Sequence, residues 1–192
     1  MRAHRLLVVV TLAVLGVTAS LVRAEEPPRV FTGTAVVNAP HGTRRMGLTL
    51  VANRLTTLEQ AQYLKKVLAD GGQGALLAAL RGRNDGQLRL GGLVYNVALV
   101  VVEPTGDGYT YFFLTPRTIR VDESTFGSES MDYPFGIAKI EVDGFGNAEG
   151  DLHVAAALHM DADGNVFIED YDGIDGHFED LRATDSGSAS KW

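Results

Sequence analysis

The chain has 192 residues, no cysteine, and 24 acidic against 17 basic side chains, a formal charge of −7. Without cysteine there can be no disulfide, thiolate metal site, cysteine nucleophile or cysteine lipid anchor, so the fold must rest on its apolar core. A surface this acidic repels phosphate backbones and anionic lipid, which excludes nucleic acid as an expected partner.

At the N-terminus Arg2, His4 and Arg5 precede the apolar run Leu6 to Val17, and Val22-Arg23-Ala24 offers a peptidase site before Glu25-Glu26-Pro27-Pro28. This order predicts a secretory signal peptide over 1–24, cleaved after Ala24. The run from Leu6 to Val22 sits at the short edge of the ~20 apolar residues a spanning helix needs, so no membrane span is expected after cleavage. Cleavage removes Arg2, Arg5 and Arg23, leaving 14 basic against 24 acidic residues and a formal charge of −10. The destination expected is the periplasm or the medium. One domain over 25–183 and a disordered tail over 184–192, rich in Ser and Gly, complete the division.

Short strand-like segments dominate the mature chain. Val30 to Val37 is rich in β-branched residues, turns at Asn38-Ala39-Pro40-His41-Gly42, and resumes at Met46 to Val51, a pattern of two neighbouring strands. Thr56 and Thr57 stand three residues before Glu59 and Gln60, a capping box, and Leu58, Ala61, Leu64, Val67 and Leu68 follow at helical spacing until Asp70-Gly71-Gly72. Gln73 to Leu80 reads as a second short helix, apolar on all sides and therefore buried. The pair is expected to plug or cover one end of the sheet.

Leu93 to Val102 is apolar at both parities, the pattern of a central strand covered on both faces. Thr105-Gly106-Asp107-Gly108 then turns the chain into Tyr109 to Leu114. Phe135 to Val142 alternates, with Ala138, Ile140 and Val142 opposite Lys139 and Glu141. The loop around Asp143-Gly144 leads to a strand from Asp151 to Met160, Asp163-Gly164 to another at Val166 to Ile168, and a last strand is expected around His177 to Arg182. The fold class is thus mainly β (α+β): an antiparallel, barrel-like sheet of about eight strands with a two-helix cap, a β-sandwich being the alternative.

Thr32-Gly33-Thr34 and the helical stretch Leu64 to Gln73 resemble features of uncharacterised exported bacterial β-rich proteins with a helix-pair insertion. The resemblance covers about a third of the mature chain and implies an exported, β-rich protein, with no activity or site residues.

Chemistry-bearing residues are few. In a closed barrel one parity points inward, so Tyr95, Tyr109, Tyr111 and Phe113 are the candidates for an apolar ligand pocket, with ordinary core packing as the other reading. Asp161-Ala162-Asp163-Gly164-Asn165 matches the opening of a calcium loop, which makes Asp161, Asp163, Asn165 and Asp172 the candidate metal ligands. Val166 replaces the glycine of that pattern and Asp172 its bidentate glutamate, so a plain hairpin turn is the competing explanation. No cofactor is expected beyond weakly bound calcium. His153 and His159 share a strand but lie about 20 Å apart, too far for one metal or a catalytic dyad. Paired acids, Asp122-Glu123, Glu179-Asp180 and the Asp170 to Asp175 run, supply what a hydrolase would need without fixing its geometry. The leading expectation is a domain, not an enzyme, that binds a small apolar molecule or a partner protein; an extracytoplasmic hydrolase using paired carboxylates is the alternative.

Overall fold

The computed structural model describes residues 27, 29–40, 42–121, 132–171 and 174–184. The expected signal peptide lies outside these residues, as does the tail apart from Thr184. In chain order the elements are β1 (Val30–Ala39), β2 (Gly42–Ala52), α1 (Leu58–Leu80), β3 (Gly86–Leu90), β4 (Leu93–Val97), β5 (Leu99–Pro104), β6 (Tyr109–Thr115), β7 (Phe135–Val142), β8 (Ala148–Met160), β9 (Val166–Asp170) and β10 (Asp175–Thr184).

All strand pairings are antiparallel, in the order β4-β3-β2-β1-β10-β8-β7-β6-β5, with β9 on β8. The two ends of this order are consecutive in sequence. β4 and β5 are halves of one run, parted only at Ala98, whose N–H donates to Leu114 O at 2.9 Å. The run pairs with β3 through its first half and with β6 through its second. The sheet therefore curls into a nearly closed barrel, the arrangement that leaves fewest unpaired edges.

The interior is filled by one parity of each strand: Phe31, Leu50, Leu88, Val100, Tyr111, Phe113, Ile140 and Leu152 are among its fully buried side chains. In β7 the inward set is Ala138, Ile140 and Val142, as the alternation predicts. A bulge changes the register between β7 and β8, from Ile137↔His153 to Phe135↔Ala156. Two β8 residues there oppose one on β7, so Leu152 and Val154 join the interior while Ala156 and Leu158, of the same parity, join the outer cluster.

The helical region, α1, differs from the expected cap in where it sits, not in where it breaks. Two helical stretches meet at Gly72 (φ 67°, ψ −167°), where the expected pair divides, a conformation glycine adopts without a Cβ penalty. The start of α1 is the predicted capping box: Gln60 N donates to Thr57 Oγ1 and Thr57 N to Gln60 Oε1, both at 3.2 Å. Leu64, Leu68, Leu76 and Leu80 bury the apolar stripe against Leu114, Phe135, Ile137 and Leu158. These strand residues belong to the outer face, so α1 lies along the side of the barrel and not over its mouth. Gln73 fastens it there, its Oε1 accepting from Leu158 N at 2.9 Å.

Ten strand segments replace the eight or so expected. β3 is the added element, and the run expected as one central strand is divided at Ala98. Val94 is about half exposed because α1 covers the outer face of β5 and leaves that of β4 uncovered; Leu93, of the inner parity, is about half exposed where β4 begins, beside the Gly91-Gly92 turn.

Candidate functional site

The aromatic residues singled out from the sequence lie on the inner face. Tyr111, Phe113 and Tyr95 are buried in the interior cluster, and Tyr109 packs against it half-buried. Phe31 meets Tyr111 and Phe113 edge-on at centroid distances of 4.8 and 5.8 Å, and Tyr111 stacks on Phe113 at 6.1 Å. Tyr95 is set apart by its own partners: its hydroxyl accepts from Arg120 N at 2.9 Å and donates to Arg120 O at 3.1 Å, and the Arg117 guanidinium covers its ring at 4.8 Å.

The opposite parity of the same strands builds a groove. Leu99, Val101 and Glu103 of β5 and Phe112 and Leu114 of β6 form its floor; Ile137, Leu158, Val166 and Ile168 extend it across β7 to β9. Ala61, Gln62, Leu64, Lys65, Leu68 and Leu76 of α1 form its roof. The cavity measures about 180 Å³. The sheet and a leucine-lined helix meet here without filling the space between them, which leaves an apolar groove smaller than the roughly 300–1,000 Å³ usual for small-molecule pockets.

Glu103 is the carboxylate in this wall. It continues the apolar row Leu99, Val101, and burial holds its pKa above the ordinary value. When only the folded carboxyl's pKa is raised, the folded state loses stability as pH climbs from the ordinary carboxylate range through the raised folded value. The penalty is absent below that window and complete above it. Glu103→Gln is therefore expected to raise Tm relative to the wild type more at pH 7 than at pH 4, which paired thermal melts at the two pH values would check. An equal difference at both would show that the burial has no electrostatic cost.

The Asp161 to Asn165 string forms the turn between β8 and β9. Asp161 Oδ1 accepts from Asn165 N at 2.7 Å and Oδ2 from Asn165 Nδ2 at 3.0 Å. The turn between β7 and β8 repeats the design: Asp143 Oδ1 accepts from Asn147 N at 2.8 Å and Oδ2 from Asn147 Nδ2 at 2.7 Å. In both, the residue before the asparagine is a glycine at positive φ, Gly146 at 83° and Gly164 at 80°. The Asn side chain is the main cause holding each aspartate's pKa below its usual value. Asp-x-x-Gly-Asn is thus a hairpin signature in this chain, and both oxygens of Asp161 are engaged in it. Asp163 is exposed in the same turn, and Asp172 lies outside the described residues. Among the described residues no three His, Asp or Glu side chains are grouped to hold a metal ion.

The histidines and remaining acids pair locally. His153 Nδ1 lies 2.7 Å from Asp170 Oδ1 and His159 Nε2 2.9 Å from Glu169 Oε2, separate pairs along the β8–β9 hairpin. Tyr133 donates to the other Glu169 oxygen at 3.1 Å, and Glu179 is bound by Arg45. Asp122 and Glu123 lie outside the described residues.

Sequence reading missed the groove and Glu103. A glutamate closing an apolar alternation, Leu99-x-Val101-x-Glu103, is the signal that could have marked the position, since it places a charge on a face otherwise prepared for burial. No helix among the described residues is long and apolar enough to cross a membrane. Comparison with protein-family models, curated proteins and solved structures gives no match.

Proposed function

We propose that the chain is an exported binding protein that takes a small apolar molecule into the groove between α1 and the outer face of β5 to β9. The observation that carries this reading is the groove itself: about 180 Å³ of space walled by leucine, isoleucine, valine and phenylalanine at the junction of helix and sheet. Apolar walls with few polar groups favour ligands that gain by leaving water, at about 25 cal/mol per Å² of apolar surface covered. The barrel interior supports a scaffold role, with its aromatics packed against one another. Export rests on the charged, apolar and small-residue order of residues 1–24.

A neutral fluorophore such as N-phenyl-1-naphthylamine tests the site. The wild type is expected to bind it saturably, one molecule per chain. Val101→Trp projects an indole into the groove floor from a strand position that tolerates aromatics, and should weaken binding by about tenfold or more, a loss of about 1.4 kcal/mol or more. Val94→Trp, on the uncovered outer face of β4, should leave binding unchanged. Absence of saturable binding, or equal binding by Val101→Trp, would overturn the proposal.

A further inference from the structure

The groove does not end in apolar residues. Glu103 pairs across the ladder with Thr110, Thr110 with Glu141, and Glu141 with Glu149. Residues directly opposite in neighbouring strands share a face, so three carboxylates stand in one row across β5 to β8, with a threonine between the first two. Neighbouring strands lie about 4.8 Å apart. Glu103 and Glu141 therefore flank Thr110, one on either side, with backbone positions about 5 Å from it. Thr110, Glu141 and Glu149 also line a second cavity, of about 480 Å³, together with Asp107 and Asp143 and with no lysine or arginine. The row thus joins an apolar groove to an acidic hollow.

Resident cations do not balance it. Lys139, in the adjacent row, bonds Glu141 Oε1 at 2.5 Å and neutralises one charge of the three. On the roof, Lys65 is exposed and its Nζ comes within 3.9 Å of where a Cβ at Gly164 would stand, in the turn that holds Asp161 and Asp163. The chain as a whole is acidic, which draws cations toward such a hollow over longer range.

We propose that the ligand of this groove is an amphiphile of one class, an apolar chain bearing a cationic amine head, with the chain against Leu114, Val101 and Phe112 and the head at Glu103, Glu141 and Glu149. This inference rests on the groove being the binding site. The apolar wall supplies the affinity common to any such chain, and the carboxylate row supplies the choice of head. An anionic head of the same length would bring like charge to the row and be rejected.

Titration calorimetry with decylammonium and decanoate below their micelle thresholds, and n-decanol below its solubility limit, separates choice of head from binding of the apolar chain. Decylammonium is expected to bind about tenfold or more tighter than decanoate at low salt, with the difference shrinking as ionic strength rises. Glu103→Gln combined with Glu149→Gln should reduce the preference several-fold while n-decanol binding is retained. Equal affinity of amine and carboxylate, or a preference for decanoate, would overturn the assignment of the head while binding of n-decanol upheld the groove. If none of the three binds, the groove reading and this inference fall together. The salt dependence uses the wild type, so the test survives a variant that does not fold.

Discussion

Phe31→Ala is expected to destabilise the protein by about 4 kcal/mol, within the 3–5 range for removing a buried aromatic ring. Phe31 is fully buried and sits where two neighbours meet, edge-on to both Tyr111 and Phe113. Truncation removes a ring's worth of burial and both edge contacts, and leaves a cavity whose rigid β walls cannot collapse to fill it. Net stability of a domain is about 5–15 kcal/mol, so the variant would stand close to unfolding. Urea denaturation checks it through the midpoint at unchanged slope. A loss under about 1.5 kcal/mol would show that the interior repacks, contrary to a core locked by its aromatics.

The second large effect is expected at Asp85, a fully buried carboxylate. Arg54 Nε donates to its Oδ1 at 2.8 Å and Arg83 Nη2 to its Oδ2 at 2.6 Å. Its backbone is equally committed: the N–H donates to Val97 O, and the carbonyl accepts from Asn53 N and Arg54 N. Asp85 thereby joins the end of β2, the turn after α1 and the end of β4. Arg83 in addition donates to Ala98 O, the residue at which the closing strand divides. Breaking a buried ion pair by removing one partner costs about 3–5 kcal/mol when the other charge is left buried. Here Arg54 is 63% exposed and regains water, while Arg83, at 23%, does so only in part. The expected cost of Asp85→Ala is therefore about 3 kcal/mol, at the low end of that range. Asp85→Asn, which keeps the shape and one acceptor, should cost less. Because β5 adjoins this seam, Asp85→Ala should also weaken binding in the groove beyond its effect on the fraction folded. Equal stability of Asp85→Ala and wild type would mean that the seam is held by its backbone bonds alone.

Local signals in the sequence were sufficient for most of the scaffold. Thr57 and Gln60 marked the helix start because a capping box is made by neighbours in sequence. Asp143-Gly144 and Asp163-Gly164 marked hairpins for the same reason, although the string around the second also matched the opening of a calcium loop. The alternation of Ala138, Ile140 and Val142 fixed the face of β7. β3 escapes such reading because Gly86-Gln-Leu-Arg-Leu is only five residues long and runs into Gly91-Gly92, so its alternation of Leu88 and Leu90 is too brief to stand out.

The site was less legible for a physical reason. Tyr109 to Leu114 is apolar at both parities, and sequence periodicity cannot say which set enters the barrel when both are suited to burial. Tyr111 and Phe113 went inward; Phe112 and Leu114 became the groove floor. That assignment depends on where α1 docks, and docking depends on Leu64, Leu68 and Leu76 meeting strands far away in sequence. A cap at the barrel mouth and a helix along its flank present the same helical stripe. The division of the run Leu93 to Val102 was hidden likewise, since the two halves differ only in whether β3 or β6 lies beside them.

The central claim, that an apolar ligand enters on the outside of the barrel beneath α1, is tested most directly by methyl-resolved NMR of the Ile, Leu and Val side chains during titration with n-decanol. The account predicts saturable shifts at Leu114, Ile137, Leu158 and Ile168, with Leu50, Leu88 and Ile140 of the interior unmoved. Shifts concentrated at the interior methyls, or none at the groove, would contradict it.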